Sequence, residues 1–260
     1  MDQRRQKKAG LDSEPKTERI RIPHTAGSGY LFLIARRAAD GLKKGNLASN
    51  KTVCDDNLVA IVFSVLAVEG FLNELASLDF RKADDNSSVI DSDSRLKVLR
   101  RVMNLAEDAK LQSLEKIRLA HEVLDVPIDP GMPPFQDYQL LKELRDAIVH
   151  PKPSSSIITK GKASDSKLQI KSSKSNLLRA LQSRDLLTVD PGRHGKGFIN
   201  WLDCKDLAPW AIRTASNVVV STIAALPSGW FRFGVAAIHR AFFLGDEAKF
   251  CKMCQFDENA

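Results

Sequence analysis

The sequence predicts a mainly all-α fold, a helical bundle with a small β-hairpin inserted late in the chain. Three observations predict it. Apolar residues recur at helical spacing through much of residues 28–150 and again over 205–227. Only 14 glycines and few β-branched runs are present, which argues against an all-β fold. A 43% hydrophobic content over 260 residues is enough to bury a core.

Taken in order, residues 1–25 are polar and read as a flexible basic segment. The helical domain is expected over 26–227. "SGYLFLIARRAADGLKKG" predicts a helix near 29–44 that stops at glycine. "DDNLVAIVFSVLAVEGFLNELASL" predicts the most buried helix, near 57–78, with Asp55, Asp56 and Asn57 as candidate caps. After a polar loop, Ser94 can cap a helix near 94–109. An amphipathic segment follows near 111–125, and "PIDPGMPPF" breaks it. The next helix falls near 137–149. Residues 151–176 are Ser/Lys-rich with no helical stripe and read as an exposed excursion. "DLLTVDPGRHGKGFINWL", 185–202, reads as two short strands around a Gly-rich turn. A last domain helix is expected over 205–227, then a tail, 228–260, with a short helix near "GVAAIHRAFF".

The formal net charge is +7. Residues 1–25 carry seven Lys/Arg against four Asp/Glu, and 151–175 carry six Lys against one Asp. These two segments exceed the charge of the whole chain, so the remainder sums to −1. Basic charge therefore sits in the two segments read as non-helical, where it serves either polyanion binding or solubility. No apolar run lacks charge for the length a bilayer needs, so no membrane partner is expected. The first residues hold no hydrophobic stretch of a secretory signal, and four cysteines show no disulfide framework. Both features suit a reducing cytoplasm.

The most informative stretch is "ELRDAIVHPKP", 143–153. Leu140, Leu141, Leu144 and Ile148 form an apolar stripe, with Arg145 at its edge. On a regular helix His150 points about 140° from Arg145. A residue before proline avoids the α region, so Pro151 ends the helix near His150. His150 can then turn back toward the end that Arg145 reaches. Either His150 caps free carbonyls at a helix terminus, or the two cations share a phosphate. Glu69 lies in an apolar surround on the 57–78 helix and needs a partner, for which Arg145 is the best-placed cation. Asn73 lies four residues on, on the same face, and Gly70 permits close backbone approach. The Glu69–Asn73 pair serves either that site or a polar network fixing register.

Together Arg145, Asp146 and His150, with four residues between Arg and His, and the acid-bearing "AVEGFLNEL" resemble the HEPN-domain family. The resemblance covers about residues 28–150 and a helix near 205–227; the 151–204 segment departs from a minimal domain. It implies a homodimer with the Arg–His motifs facing one cleft. It also implies metal-independent endoribonuclease chemistry, with no cofactor and no metal. Arg145 would clamp the phosphate, His150 would move a proton, and Asp146 would orient them. Glu69 and Asn73 would support the site. The alternative implied by the family is a non-catalytic RNA- or nucleotide-binding or interaction module. Its partners would be an antitoxin or a nucleotidyltransferase, in a toxin–antitoxin or phage-defence setting.

Other signals are weaker. Cys251 and Cys254 form a lone C-x-x-C, and His239, Cys204 and His194 complete no known zinc spacing. "DPGRHGKG", 190–197, lacks the Lys-Ser/Thr of a P-loop and reads as a solvated turn. His121 and Arg118 read as surface or packing residues.

Overall fold

A computed structural model describes residues 20–21, 27–43, 53–82, 88–90, 93–151, 175–187 and 198–254. The chain's long apolar segment forms α2 (Val53–Ser77), and several other helices pack on it. The first helix, α1 (Gly27–Lys43), lies along α2 over the greatest length. Gly70 permits this contact: a Cβ there would sit 3.3 Å from the Ser28 Cβ, tighter than ordinary van der Waals contact. Then come α3 (Ser94–Asp108), α4 (Ser113–Val123) and α5 (Phe135–Val149), all packed on α2. A short helix, α6 (Ser175–Gln182), leans on α5. One helical turn, α7 (Phe198–Trp201), leads into α8 (Leu207–Ala225). The chain continues through α9 (Trp230–Ile238), a 3-10 turn (Arg240–Phe243) and α10 (Glu247–Met253). β1 (Ile20–Arg21) and β2 (Arg81–Lys82) make a two-residue antiparallel pair.

The all-α expectation is met, and several details differ from it. α8, not α2, is the most thoroughly buried helix: thirteen of its nineteen residues are buried, against eleven of α2 among residues 55–77. α2 passes a length-and-hydropathy test for a membrane span over Asp55–Ser77. Its apolar residues nevertheless pack on α1, α8, α3, α5 and α4, as a core helix requires. The helix begins at Val53, so Asn57 is no cap. It is fully buried. Its amide donates to the carbonyls of Leu202 (2.6 Å) and Cys204 (2.7 Å), and its oxygen accepts from the Ala208 N–H (3.1 Å). That clamp ties the α7–α8 connection to the core. The cap of α3 is Asp93, which accepts from the Arg95 N–H at 2.8 Å, rather than Ser94.

The expected hairpin at 185–202 is not found among the described residues. Leu177, Leu178 and Leu181 are buried on one face of α6, and Trp201 and Leu202 enter the core from a helical turn. Residues 188–197, with the Gly-rich turn, lie outside the described residues, as do 1–19, 22–26 and 152–174. The segment from 228 is also more than a tail. Phe231, Val235, Phe242 and Phe243 are core residues, and Phe242 stacks on Phe32 at 4.2 Å between ring centroids.

A buried polar cluster joins both ends of the described chain. Glu74 of α2 accepts from the Ser28 N–H (2.8 Å) and Ser28 Oγ (2.5 Å), and His239 Nε2 lies 2.9 Å away. Nδ1 of His239 donates to the Val235 carbonyl at 2.8 Å. Burial pushes the Glu74 carboxyl up, but hydrogen bonds from His239 and Ser28 outweigh it and hold it below its ordinary value.

Candidate functional site

α5 carries the motif as its spacing requires. Tyr138, Leu140, Leu141 and Leu144 face the core, which leaves Arg145 at the edge of the buried stripe. The guanidinium reaches Glu69 Oε1 at 2.5 Å through Nη2, and Asp146 Oδ1 at 3.1 Å through Nη1. The Arg145 side chain is 16% exposed and that of Glu69 31%, so the pair is largely withdrawn from water. Its Nε–H is buried and has no hydrogen-bond partner among the described residues. The expected facing of Glu69 and α5 is therefore present.

These side chains line an open groove of about 420 Å³ between α2, α4 and α5. Asn73 lines it too, exposed, and accepts from Lys116 Nζ at 3.2 Å. Lys116 also pairs with Glu107. Lys142 bonds Gln112 at 3.1 Å and stands 3.6 Å from Asp146. Ser113, also on the wall, accepts the Tyr138 hydroxyl at 2.9 Å. Burial pushes that phenol upward, so it stays neutral. The groove carries three cations, Lys116, Lys142 and Arg145, against the carboxylates Glu69 and Asp146.

His150 stands where Pro151 requires, at the C-cap of α5 with φ −118° and ψ 68°. Its N–H donates to the Asp146 carbonyl at 2.9 Å, and its ring is exposed. It is not among the groove-lining residues. The structure thus brings Arg145, Asp146, Glu69 and Asn73 together and leaves His150 one turn beyond them.

Lys116 and Lys142 were not singled out from the sequence. A signal existed for Lys116: it falls with Ser113, Ile117 and Ala120 on the buried stripe of α4, where a lysine needs an anchor. The C-x-x-C thiols of Cys251 and Cys254 are free on α10. Burial, with Cys251 nearby, holds the Cys254 thiol above its ordinary value, opposite to an activated thiolate. His239 and Cys204 are buried elsewhere, and no metal-ligand cluster of three or more His, Cys, Asp or Glu occurs among the described residues. His121 is a packing residue, bonded to the Val126 carbonyl at 3.0 Å, while Arg118 is exposed.

Fold and site define an all-α protein with an Arg–carboxylate pair in a charged groove and a histidine at the adjoining helix end. Comparison with family models, curated proteins and solved structures returned no match.

Proposed function

We propose that the protein is a metal-independent endoribonuclease that works as a homodimer in the cytoplasm. The observation that carries this reading is the local geometry of α5. Glu69 plants Arg145 on the wall of an open groove, and Pro151 ends the helix so that His150 is exposed just beyond. RNA supplies its own nucleophile. The 2′-hydroxyl attacks the adjacent phosphorus, the P–O5′ bond breaks, and a 2′,3′-cyclic phosphate and a 5′-hydroxyl result. An imidazole can both accept and donate a proton, so His150 suits removal of the 2′ proton or protonation of the leaving oxygen. Arg145 would offer fixed N–H donors to phosphate oxygens as charge builds. One histidine cannot serve both faces of the reaction at once, and a second subunit supplies the other.

Support for dimerisation comes from α2. Val59, Val62 and Leu66 are half-buried and share a helical face with Glu69 and Asn73, by their spacing of three and four residues. An apolar stripe running into a polar groove is the pattern a second copy would cover.

A second reading has its own observation. Arg145 is already held by two carboxylates, and His150 lies outside the groove lining. A non-catalytic RNA- or nucleotide-binding module, acting with an antitoxin or nucleotidyltransferase, fits that arrangement. The purified protein incubated with structured RNA in EDTA separates the two. The enzyme reading expects cleavage that is lost in His150→Ala and on a substrate 2′-deoxy at the cut site. Binding without cleavage supports the module, and cleavage of the deoxy substrate rejects the proposed chemistry.

A further inference from the structure

A second cavity shares no lining residue with the groove at Arg145. It has a volume of about 480 Å³, between the start of α5, the outer face of α8 and α10. Its size falls within the usual range for small-molecule pockets. Its floor is apolar, formed by Trp210, Val220 and Met253, with Pro133 and Pro134 closing one end.

Two cations border it. Arg213 is exposed on α8 and Lys249 stands on α10. Neither side chain has an ion-pair partner among the described residues. The carboxylate on the wall, Asp137, is neutralised from outside: Arg184 Nε donates to it at 2.8 Å. Asn217 and Ser221 add hydrogen-bonding groups along the same helix face. An apolar cleft whose unanswered charges, among the described residues, are positive is complementary to one kind of occupant.

We propose that this cleft binds a small amphiphile: an apolar body on the Trp210 floor and a single anionic head group, carboxylate or phosphate, held by Arg213 and Lys249. Charge-assisted bonds to the head would orient the ligand, and burial of its body would supply most of the affinity. The site is independent of the groove at Arg145 and of any activity there.

The test uses the full chain and titrates octanoate, octyl phosphate and octanol below their micellar concentrations, followed by tryptophan fluorescence and ligand-observed NMR. Octanoate or octyl phosphate should bind about tenfold more tightly than octanol, the worth of one good charged contact. Whichever head group binds better identifies the class. Arg213→Gln with Lys249→Gln should erase that preference while octanol binding stays unchanged. Arg213 is exposed and Lys249 half-buried, and glutamine keeps most of each side chain's length, so folding should be unaffected, and circular dichroism checks it. Ser221→Phe should fill the cleft and abolish binding of all three. Equal affinity for octanol and the anions, binding that survives Ser221→Phe, or no saturable binding of either anion would each overturn the proposal.

Discussion

Replacing Glu69 by glutamine removes the charge from the central ion pair while keeping its shape. The expected cost follows from the geometry. A fully exposed pair contributes about 0–1 kcal/mol, whereas breaking a buried one costs about 3–5 kcal/mol. Arg145 is 16% exposed and Glu69 31%, which places this pair between those limits. Arg145 would retain Asp146 at 3.1 Å, so its charge is not stranded. We expect Glu69→Gln to destabilise by about 1–2 kcal/mol. In a chain of this size that lowers Tm by about 2–4 °C per kcal/mol. Arg145→Ala should cost about 1 kcal/mol more, because it leaves Glu69 facing a vacated wall and removes a packed aliphatic stem. Urea denaturation of both single variants and the Glu69→Gln/Arg145→Ala double variant gives the coupling energy. A coupling of about 1 kcal/mol or more is expected. Additive effects, with coupling below about 0.3 kcal/mol, would show that the 2.5 Å contact does not hold α5 to α2 and would refute the reasoning.

Other outcomes follow from the same structure. His150→Ala should change stability by less than about 0.5 kcal/mol, because its ring is exposed at a helix end; a larger loss in urea denaturation would give it a structural role. Asn57→Ala should cost about 1–3 kcal/mol, since the Ala208 N–H loses its acceptor in the core and the Leu202 and Cys204 carbonyls each keep a single backbone donor; a near-neutral urea midpoint would contradict the clamp. Gly234→Ala should cost about 1–3 kcal/mol, because a Cβ there would lie 2.7 Å from the Phe80 ring; an unchanged Tm would be inconsistent with that packing. Glu74 gives a pH signature. Its folded carboxyl lies below its ordinary value of 4.5, so its stabilisation is present above that value and lost as pH falls through the lower, folded one. Unfolding free energy measured against pH should show that acid-side loss, and Glu74→Gln should flatten it.

The end of α5 was legible locally. Pro151 acts on the residue before it, whatever the rest of the chain does, and His150 duly leaves the helical conformation. The apolar run that became α2 was equally plain, since Ser64 is the single polar residue across 58–68. The pairing of Glu69 with Arg145 was inferred from need: a carboxylate in an apolar surround requires a cation, and few were placed to answer it. Where a second hairpin strand was expected, 198–201 form a helical turn, because the Gly-rich stretch before it said nothing of Trp201, which folds inward beside Leu202, whose carbonyl Asn57 holds from 145 residues away.

By itself the sequence determined where the helices of 28–150 and 205–227 run, that they bury a core, and that Arg145 and His150 sit on either side of a helix stop. Those properties depend on side-chain period and on contacts within a few residues. Tertiary structure alone decided which groups share a surface. Lys116 and Lys142 meet Arg145 in one groove, His239 joins Glu74 across 165 residues, and Arg213 and Lys249 flank a cleft. Such meetings depend on how rotated and packed helices present their edges, and no local pattern along the chain encodes that.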